Sequence, residues 1–158
     1  MSPERPRRQP DPVWFDAWRG ILFASSRVLR TAEPELMAQD GFPLTWLDVL
    51  SRLYDDERHG LRMQELEERS LFTRSGLTRL VDRIEAAGLV RREPVPGDRR
   101  GVRVVLTAEG QRRHEEALAR HLHVIEREFG QRLTAEQHRA VAGALWDFWH
   151  EDGAATTE

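Results

Sequence analysis

The sequence predicts a mainly α-helical fold with a small β-hairpin (α+β), arranged in the order of a winged helix-turn-helix. Between Met63 and Gly88, two short helical patterns are separated by a tight turn. A hairpin rich in proline, glycine and arginine follows directly and leads to Thr107. Longer amphipathic segments flank this stretch on both sides. This order of elements is typical of proteins that bind double-stranded DNA.

Length and composition predict one compact globular unit. The chain has 158 residues, of which 39% are hydrophobic and 32% charged, and no apolar run approaches the roughly 18 residues of a membrane span. It has no cysteine, which excludes disulfides, thiol switches and cysteine-based metal sites. Residues 1–12 lack the apolar segment of a secretory signal, so we expect a flexible arm and a cytoplasmic protein.

The first two helices are predicted from apolar residues at helical spacing. In helix 1 this stripe covers residues 14–29, and Pro34 limits how far the helix continues without a kink. The Gly-Phe-Pro sequence of residues 41–43 punctuates the chain. Helix 2 then has its apolar stripe within residues 44–53 and ends before the turn at residues 55–60.

Two short helices form the predicted helix-turn-helix. A short strand at residues 61–63 leads into a brief helix 3, residues 63–69, and a turn at residues 70–73. Thr73, the last residue of the turn, is suited to cap helix 4, which covers about residues 74–87. Gly88 supplies its C-terminal turn. The apolar stripe of helix 4 comprises Leu77, Leu80, Val81 and Ile84.

A hairpin and two more helices complete the prediction. Strands at residues 89–94 and 102–106 flank a tip that is too rich in proline, glycine and aspartate for regular pairing. Thr107 and Thr134 are expected to cap helices 5 and 6. Leu118, Leu122, Ile125 and Phe129 recur at steps of four and three in helix 5, as in a seam that packs against a partner. The stripe of helix 6 comprises His138, Val141, Leu145 and Trp149, and residues 153–158 form a flexible tail.

Charge is unevenly distributed along the chain. Its 24 basic residues are all arginines, which a high-GC coding bias explains as readily as chemistry does. The net charge is -3, yet residues 69–103 contain nine arginines against four acidic residues, a local charge of +5. The remainder therefore carries -8. Such segregation is expected of a protein with one DNA-facing surface.

Helix 4 has a short, polar and basic outer face that suits the reading of base edges. Opposite its apolar stripe lie Ser75 and Arg79, and Arg79 can bind a guanine edge with both arms of its guanidinium. The alternative is an ordinary solvated face, with Arg79 paired near Asp82 or Glu85. The predicted DNA-contacting residues of this region are Thr73, Arg74, Ser75, Gly76, Thr78, Arg79 and Arg83.

The hairpin is predicted to be a DNA-binding wing because it places arginines at a tip that cannot bury them. Arg100 is the candidate for insertion into the minor groove, where narrow A·T tracts deepen the negative potential. Asp98 is expected to orient Arg100 through an ion pair. Arg99 is expected to contact phosphate, and Arg103 completes the predicted wing contacts.

Four consecutive motifs resemble the MarR family of bacterial transcription regulators. They are Leu-Thr-Arg-Leu-Val-Asp-Arg-Ile-Glu at residues 77–85, Gly-Leu-Val at 88–90, Asp-Arg-Arg-Gly at 98–101 and Val-Val-Leu-Thr-Ala-Glu-Gly at 104–110. The order of elements is similar from about residue 13 to 150. The wing motif, followed by the Leu-Thr that opens the next helix, is the most specific part of the resemblance.

The resemblance implies a homodimer with two winged lobes facing successive major grooves. Residues 13–40 and 108–152 would then form a helical dimerisation domain, and residues 41–107 the winged helix-turn-helix domain with its wing at about 90–106. The dimer seam would comprise Leu118, Leu122, Ile125, Phe129, Val141, Leu145 and Trp149. A pseudo-palindromic operator, repression of genes, and release by a small aromatic or phenolic effector are further implications.

The tryptophans are the residues from which an effector pocket is predicted. Trp14, Trp18 and Trp46 are candidates for an aromatic pocket in the crevice between the dimer helices and the winged lobe. The alternative, which we favour, is that the tryptophans fill the helical core and the dimer seam. Both uses are compatible.

The remaining function classes are disfavoured. The six histidines lack metal-ligand spacing, so we expect no metal or cofactor and interpret them as solvated or core-edge residues. No nucleophile elbow, phosphate-binding loop or catalytic pair is present, which argues against an enzyme. A sequence-independent architectural DNA protein is the nearer alternative, but an acidic chain with one confined basic face favours site-specific binding.

Overall fold

The structure, a computed structural model, describes residues 12–56, 59–70, 72–95 and 97–150, with only the backbone of residues 40, 99, 100, 149 and 150. The predicted fold class is confirmed, since the described chain is mainly helical with one small sheet. The helices and strands are, in order, α1 Val13–Asp40, α2 Leu44–Tyr54, β1 Gly60–Arg62, α3 Met63–Glu68, α4 Arg74–Ala86, β2 Val90–Val95, β3 Asp98–Leu106, α5 Ala108–Glu128, a 3-10 turn Gly130–Arg132, α6 Ala135–Ala144 and α7 Trp146–His150.

Local capping chemistry sets several helix boundaries. The hydroxyls of Thr73, Thr107 and Thr134 accept hydrogen bonds from the backbone N–H groups three residues later, so all three predicted caps are confirmed. Gly88 follows α4 with a φ of 76°, in the left-handed region that a helix C-terminus favours and that glycine adopts without strain.

The sheet has three antiparallel strands in the order β1-β3-β2. The short strand β1 adds to the predicted hairpin by pairing with β3, with Leu61 opposite Val104. The predicted irregularity of the tip is confirmed, because Pro94 pairs with Val102 but Val95 pairs with Asp98, so the register shifts between Pro94 and Val95 just before the turn. Gly97 makes this turn possible with a φ of 81°.

Two apolar clusters hold the chain together. The larger lies in the winged lobe, where α2, α3, α4 and the sheet enclose residues such as Leu50, Leu66 and Ile84. The end of α1 and Ala117 of α5 join this cluster. The smaller cluster comprises Val28, Ala32 and Val124 and packs α1 against α5. These two helices therefore connect the lobe to the rest of the chain.

Helix α1 includes Pro34 and reaches Asp40, the end of the predicted segment 13–40; Pro34 is exposed while Ala32 and Leu36 are buried on the packed face. One helix prediction needs correction. The predicted helix 6 is interrupted, since α6 ends at Ala144 and α7 begins at Trp146. The interruption follows Gly143, a residue type that weakens helices. Among the helices that the structure describes, none is long and apolar enough for a membrane span.

Candidate nucleic-acid interface

Helix α4 presents its polar face to solvent at the edge of the winged lobe. Its buried side chains are the four predicted ones, Leu77, Leu80, Val81 and Ile84. They pack into the larger cluster and fix the rotation of the helix about its axis. As a result, all seven predicted contact residues of this region lie in exposed positions: Thr73, Arg74, Ser75, Gly76, Thr78, Arg79 and Arg83.

The arginines of α4 differ in what they contact. Arg74 lies 3.3 Å from a carboxylate oxygen of Glu67 on α3. Within the described part of the chain, Arg79 and Arg83 form neither an ion pair nor a side-chain hydrogen bond. The alternative that Arg79 pairs near Asp82 or Glu85 is wrong, because both carboxylates bind Arg92 of β2 instead. Two guanidinium groups on the exposed side of α4 thus have no carboxylate partner among the residues that the structure describes.

Arg92 connects the wing to α4. Its backbone N–H donates to Glu85 Oε1 at 2.9 Å, and its guanidinium contacts both Glu85 and Asp82, the latter at 2.7 Å. Arg91, its neighbour on β2, pairs with Glu93 at 2.7 Å. Arg91 and Arg92, two of the nine arginines of this region, are therefore paired within the protein. Sequence analysis missed this connection, although the acidic residues three apart on one flank of α4 were a visible signal.

The wing tip is held to the lobe by Asp98. Its carboxylate accepts hydrogen bonds from Arg62 Nη1 at 2.9 Å and from the backbone N–H of Gly101 at 3.0 Å. The expected ion pair of Asp98 with Arg100 involves a side chain outside the described residues, as does the expected phosphate contact of Arg99. Asp98 thus contacts Arg62, the residue that precedes α3, and ties α3 to the tip.

Arg103 has a role inside the sheet. Its Nη2 donates to the backbone carbonyl of Gly60 at 2.7 Å, across the pairing of β3 with β1. The residue is only partly exposed. Its predicted DNA contact stays a prediction, but this hydrogen bond already commits one arm of the guanidinium to the protein.

The predicted tryptophan pocket is not assembled within one chain. Trp14 and Trp18 are 71% and 51% exposed on the first turns of α1. At a rise of 1.5 Å per residue, about 33 Å of helix separates Trp18 from the end of α1. Trp46 lies beyond that end, half-buried edge-on to Phe42, with 5.9 Å between ring centroids. Trp46 is therefore a core residue, as the alternative interpretation held.

The predicted seam residues are divided between the protomer core and the surface. Leu118 packs against the larger cluster, and Ile125 and Phe129 pack against the smaller one. Leu122 remains 53% exposed and Val141 37% exposed, Leu145 is half-buried, and the side chain of Trp149 lies outside the described residues. Helix 5 is therefore not a free seam, since α1 already covers part of its apolar stripe.

The larger unpaired apolar surface is on α1, where the sequence reasoning placed no seam residue. Phe23 is 66% exposed, and it borders a groove of about 550 Å³ between α1 and α6. The described residues of α6 include no buried one. The sequence indicated this exposed apolar surface through the apolar pattern of helix 1, which is broader than the single stripe that one packed face needs. Its exposed members include Trp14, Trp18, Leu22, Phe23 and Leu29.

One histidine is a core residue, which corrects the expectation of solvated or core-edge positions. His114 is 1% exposed, with Nε2 2.9 Å from Ser51 Oγ and its ring 4.6 Å from that of Tyr54. Burial lowers its pKa, and burial also lowers the pKa of His121, which lies two turns further along α5. The sequence did not indicate that His114 is buried, because α5 is polar overall and the contacting residues Ser51 and Tyr54 belong to α2. The described residues contain no cluster of histidine and carboxylate groups suited to a metal.

A helix-turn-helix formed by α3 and α4, followed by the hairpin of β2 and β3 that pairs with β1, defines a winged helix-turn-helix protein. Residues 40–101 match the family model of the MarR family. The chain is thus similar to members of this family, and the resemblance stated from its motifs is confirmed. The family is one of transcription regulators and not of enzymes.

Individual relatives agree with this assignment. The HTH-type transcriptional regulator PrsX of Escherichia coli is 39% identical over 62 residues, which are 39% of this chain and 37% of PrsX. The chain thus matches little more than a third of the length of that curated relative. AbsC, a MarR family transcriptional regulator of Streptomyces coelicolor, is 27% identical with a TM-score of 0.78, over 91% of this chain and 97% of AbsC.

A second solved structure includes nucleic acid. Sco3205, a MarR family transcriptional regulator of Streptomyces coelicolor solved in complex with DNA, is 28% identical with a TM-score of 0.77. The similarity covers 94% of this chain and 92% of Sco3205. It therefore includes both the winged lobe and the flanking helices.

Proposed function

We propose that this protein is a sequence-specific, double-stranded DNA-binding transcription regulator that binds a pseudo-palindromic operator as a homodimer. Repression is the direction of control that its family resemblance implies. The observation that carries the proposal is the pair Arg79 and Arg83, exposed on α4 without a described carboxylate partner. Unpaired guanidinium groups on a helix beside a wing suit phosphate and guanine contacts.

The form of α4 supports a reading role. Its first turn is capped by Thr73 and carries the small residues Ser75 and Gly76, which allow the backbone to approach a base edge closely. Arg79 lies one turn further on the same exposed side. In the major groove, its guanidinium can donate to O6 and N7 of a guanine. Sco3205, of the same family, was solved with DNA bound.

The internal ion pairs favour site-specific over architectural binding. Because Arg91 and Arg92 are already paired with carboxylates, the cations that can meet phosphate are fewer than the nine arginines of residues 69–103. An architectural protein relies almost entirely on many such contacts. Here a few free arginines on one helix and the wing arginines Arg99 and Arg100 would supply them, with Arg100 in the minor groove.

The apolar surface of α1 supports a homodimer. Large side chains on α1 such as Trp18 and Phe23 are more than half exposed, and Phe23 borders the groove between α1 and α6. Monomeric soluble proteins rarely expose large contiguous apolar patches. A second copy of the chain would cover them in a two-fold contact. Two-fold symmetry then sets the half-site centres about one helical turn, roughly 10 bp, apart.

The proposal includes release of DNA on binding of a small aromatic effector, which the family resemblance implies. A cavity of about 280 Å³ lies between α1 and α5, with Arg120 and His123 in its lining. Pockets for drug-sized ligands begin near 300 Å³, so this cavity suits a single-ring acid or phenol. Titration of the operator complex with benzoate and phenol tests this, and no release at millimolar ligand would argue against an effector of this class.

The DNA-binding proposal is tested by selecting genomic fragments with the purified protein and measuring affinities for the selected operator and a random duplex at matched salt. Arg79→Ala is expected to reduce discrimination at one base pair of the half-site by about 1 to 3 kcal/mol. Arg100→Ala should instead lose most affinity on A·T-rich flanks.

The matched control is Arg139→Ala, which removes an exposed arginine from α6 and should leave sequence preference unchanged. Equal affinity of the wild-type protein for operator and random duplex would overturn the proposal. Unchanged base preference in Arg79→Ala would show that the reading face of α4 is misassigned.

A further inference from the structure

Arg92 is bound to α4 through both its main chain and its side chain. Glu85 accepts the backbone N–H of Arg92 at 2.9 Å and also contacts the guanidinium, while Asp82 accepts from Nη2 at 2.7 Å. The side chain of Arg92 is 29% exposed, compared with 87% for that of Arg74. The guanidinium is thus turned toward the protein, although the residue belongs to the most basic stretch of the sequence.

The contact of Arg92 with Asp82 and Glu85 joins the edge strand of the wing to one flank of α4. Strand β2 lies at the edge of the sheet, paired on one side with β3, where Arg92 is opposite Val104. Its other side faces α4 through Arg92. Asp82 and Glu85 are three residues apart, so they lie on one flank of α4, and Arg83 lies on the other flank. The wing is therefore attached to one side of the helix and the unpaired Arg83 is directed to the other.

We propose that Arg92 is a positioning residue, which sets the wing against α4 so that both reach the DNA in a fixed relation without Arg92 contacting DNA itself. This inference rests on the proposed DNA-binding function. Three bonds from one residue to two carboxylates restrict both the distance and the twist between β2 and α4. The positive charge also offsets two carboxylates that would otherwise repel phosphates near the outer face of α4.

The alternative role for Arg92 is a direct phosphate contact, and the two roles predict opposite effects of one substitution. If Arg92 acts by binding Glu85, then Glu85→Gln weakens operator binding, because the charged partner is lost while the amide oxygen can still accept the backbone N–H. If Arg92 acts on phosphate, then Glu85→Gln strengthens binding, because it frees the cation and removes a negative charge.

The experiment measures operator affinity against salt concentration for the full-length wild type, Arg92→Gln, Glu85→Gln and the double variant. We expect each single variant to weaken binding about tenfold, and the double variant to be no weaker than either, as for residues that act through one ion-pair network. The slope of log Kd against log salt should equal that of the wild type, since no phosphate contact is lost.

A matched control and a second readout separate positioning from general destabilisation. Arg112→Gln removes an arginine that also contacts two carboxylates, Glu109 and Glu116, but within α5 alone, and should leave DNA affinity unchanged. Selection from a library randomised inside and outside the half-site should show that Arg92→Gln keeps the base preference set by α4 and loses the preference at the flanks. Thermal unfolding checks that every variant used is folded.

Three results would overturn the inference: tighter binding by Glu85→Gln, a salt slope reduced by about 0.9 in Arg92→Gln, or an additive loss in the double variant. Failure of the proposed function looks different, because the wild-type protein itself would then bind operator and random duplex equally.

Discussion

Replacing Phe23 with alanine should dissociate the proposed dimer while leaving the protomer folded. Phe23 is 66% exposed in the single chain. With about 200 Å² for a phenylalanine side chain, about 130 Å² of each copy would be covered by dimerisation. At about 25 cal/mol per Å², this corresponds to about 3 kcal/mol for each copy and at most about 6 kcal/mol for the dimer.

Half of this upper value is a reasonable lower bound, since alanine still covers part of the surface. The dimer dissociation constant should therefore increase by about 10²-fold to 10⁴-fold. Sedimentation equilibrium over a range of protein concentrations measures it directly. Because Phe23 contributes little to the protomer core, circular dichroism of the variant should match that of the wild type.

Val102→Ala is the matched control, because it truncates an apolar side chain that is 40% exposed on the wing and not on α1. It should leave the dimer intact. The reasoning would be refuted by a dissociation constant for Phe23→Ala within about threefold of the wild-type value, a difference of less than about 1 kcal/mol. A wild-type protein that sediments as a monomer at all concentrations would refute the dimer as well.

Three further predictions concern stability. First, burial lowers the pKa of His114, so the unfolded chain binds more protons than the folded one below pH 6.5. The free energy of unfolding should therefore be highest above pH 6.5 and fall as the pH decreases through the lowered pKa of the folded state. Urea unfolding should show a smaller loss in His114→Gln. Second, Gly110→Ala should destabilise the protein by about 3 kcal/mol or more, because its Cβ would overlap the backbone carbonyl of Leu89, and a melting temperature equal to that of wild type would contradict this packing. Third, Thr107→Ala should lower the free energy of unfolding by about 1 kcal/mol through loss of the α5 cap, whereas Thr107→Ser, which keeps the hydroxyl, should lose much less.

Elements governed by near neighbours were predictable from the sequence. Thr73, Thr107 and Thr134 cap helices through bonds to residues three positions away, and Gly88 ends α4 through its own backbone freedom. The apolar stripe of α4 has the period of a helix and was correctly assigned to the core. Each of these relations lies within one turn of helix and is therefore visible in a short stretch of sequence.

Relations between distant residues were not predictable in this way. Pro34 was expected to limit how far α1 runs without a kink, and only the structure shows that Ala32 and Leu36 are buried on either side of it. His114 was not expected in the core, because the residues that cover it belong to α2, more than 60 positions earlier. The three tryptophans were grouped by chemistry, whereas the length of α1 separates two of them from the third.

The sequence by itself determined the order of a winged helix-turn-helix, the exposed polar face of its second helix and the resemblance to the MarR family. Only the tertiary structure decided which of its arginines are free and which apolar residues are covered. Arg79 and Arg92 both belong to the basic stretch of residues 69–103, but Arg92 meets two carboxylates of α4 and Arg79 meets none among the described residues. Leu118 and Phe23 are alike in hydrophobicity, but only Leu118 packs against the core. The physical reason is the same for both pairs: periodicity records the local turn of a helix, whereas charge pairing and burial depend on which distant segments the fold brings together.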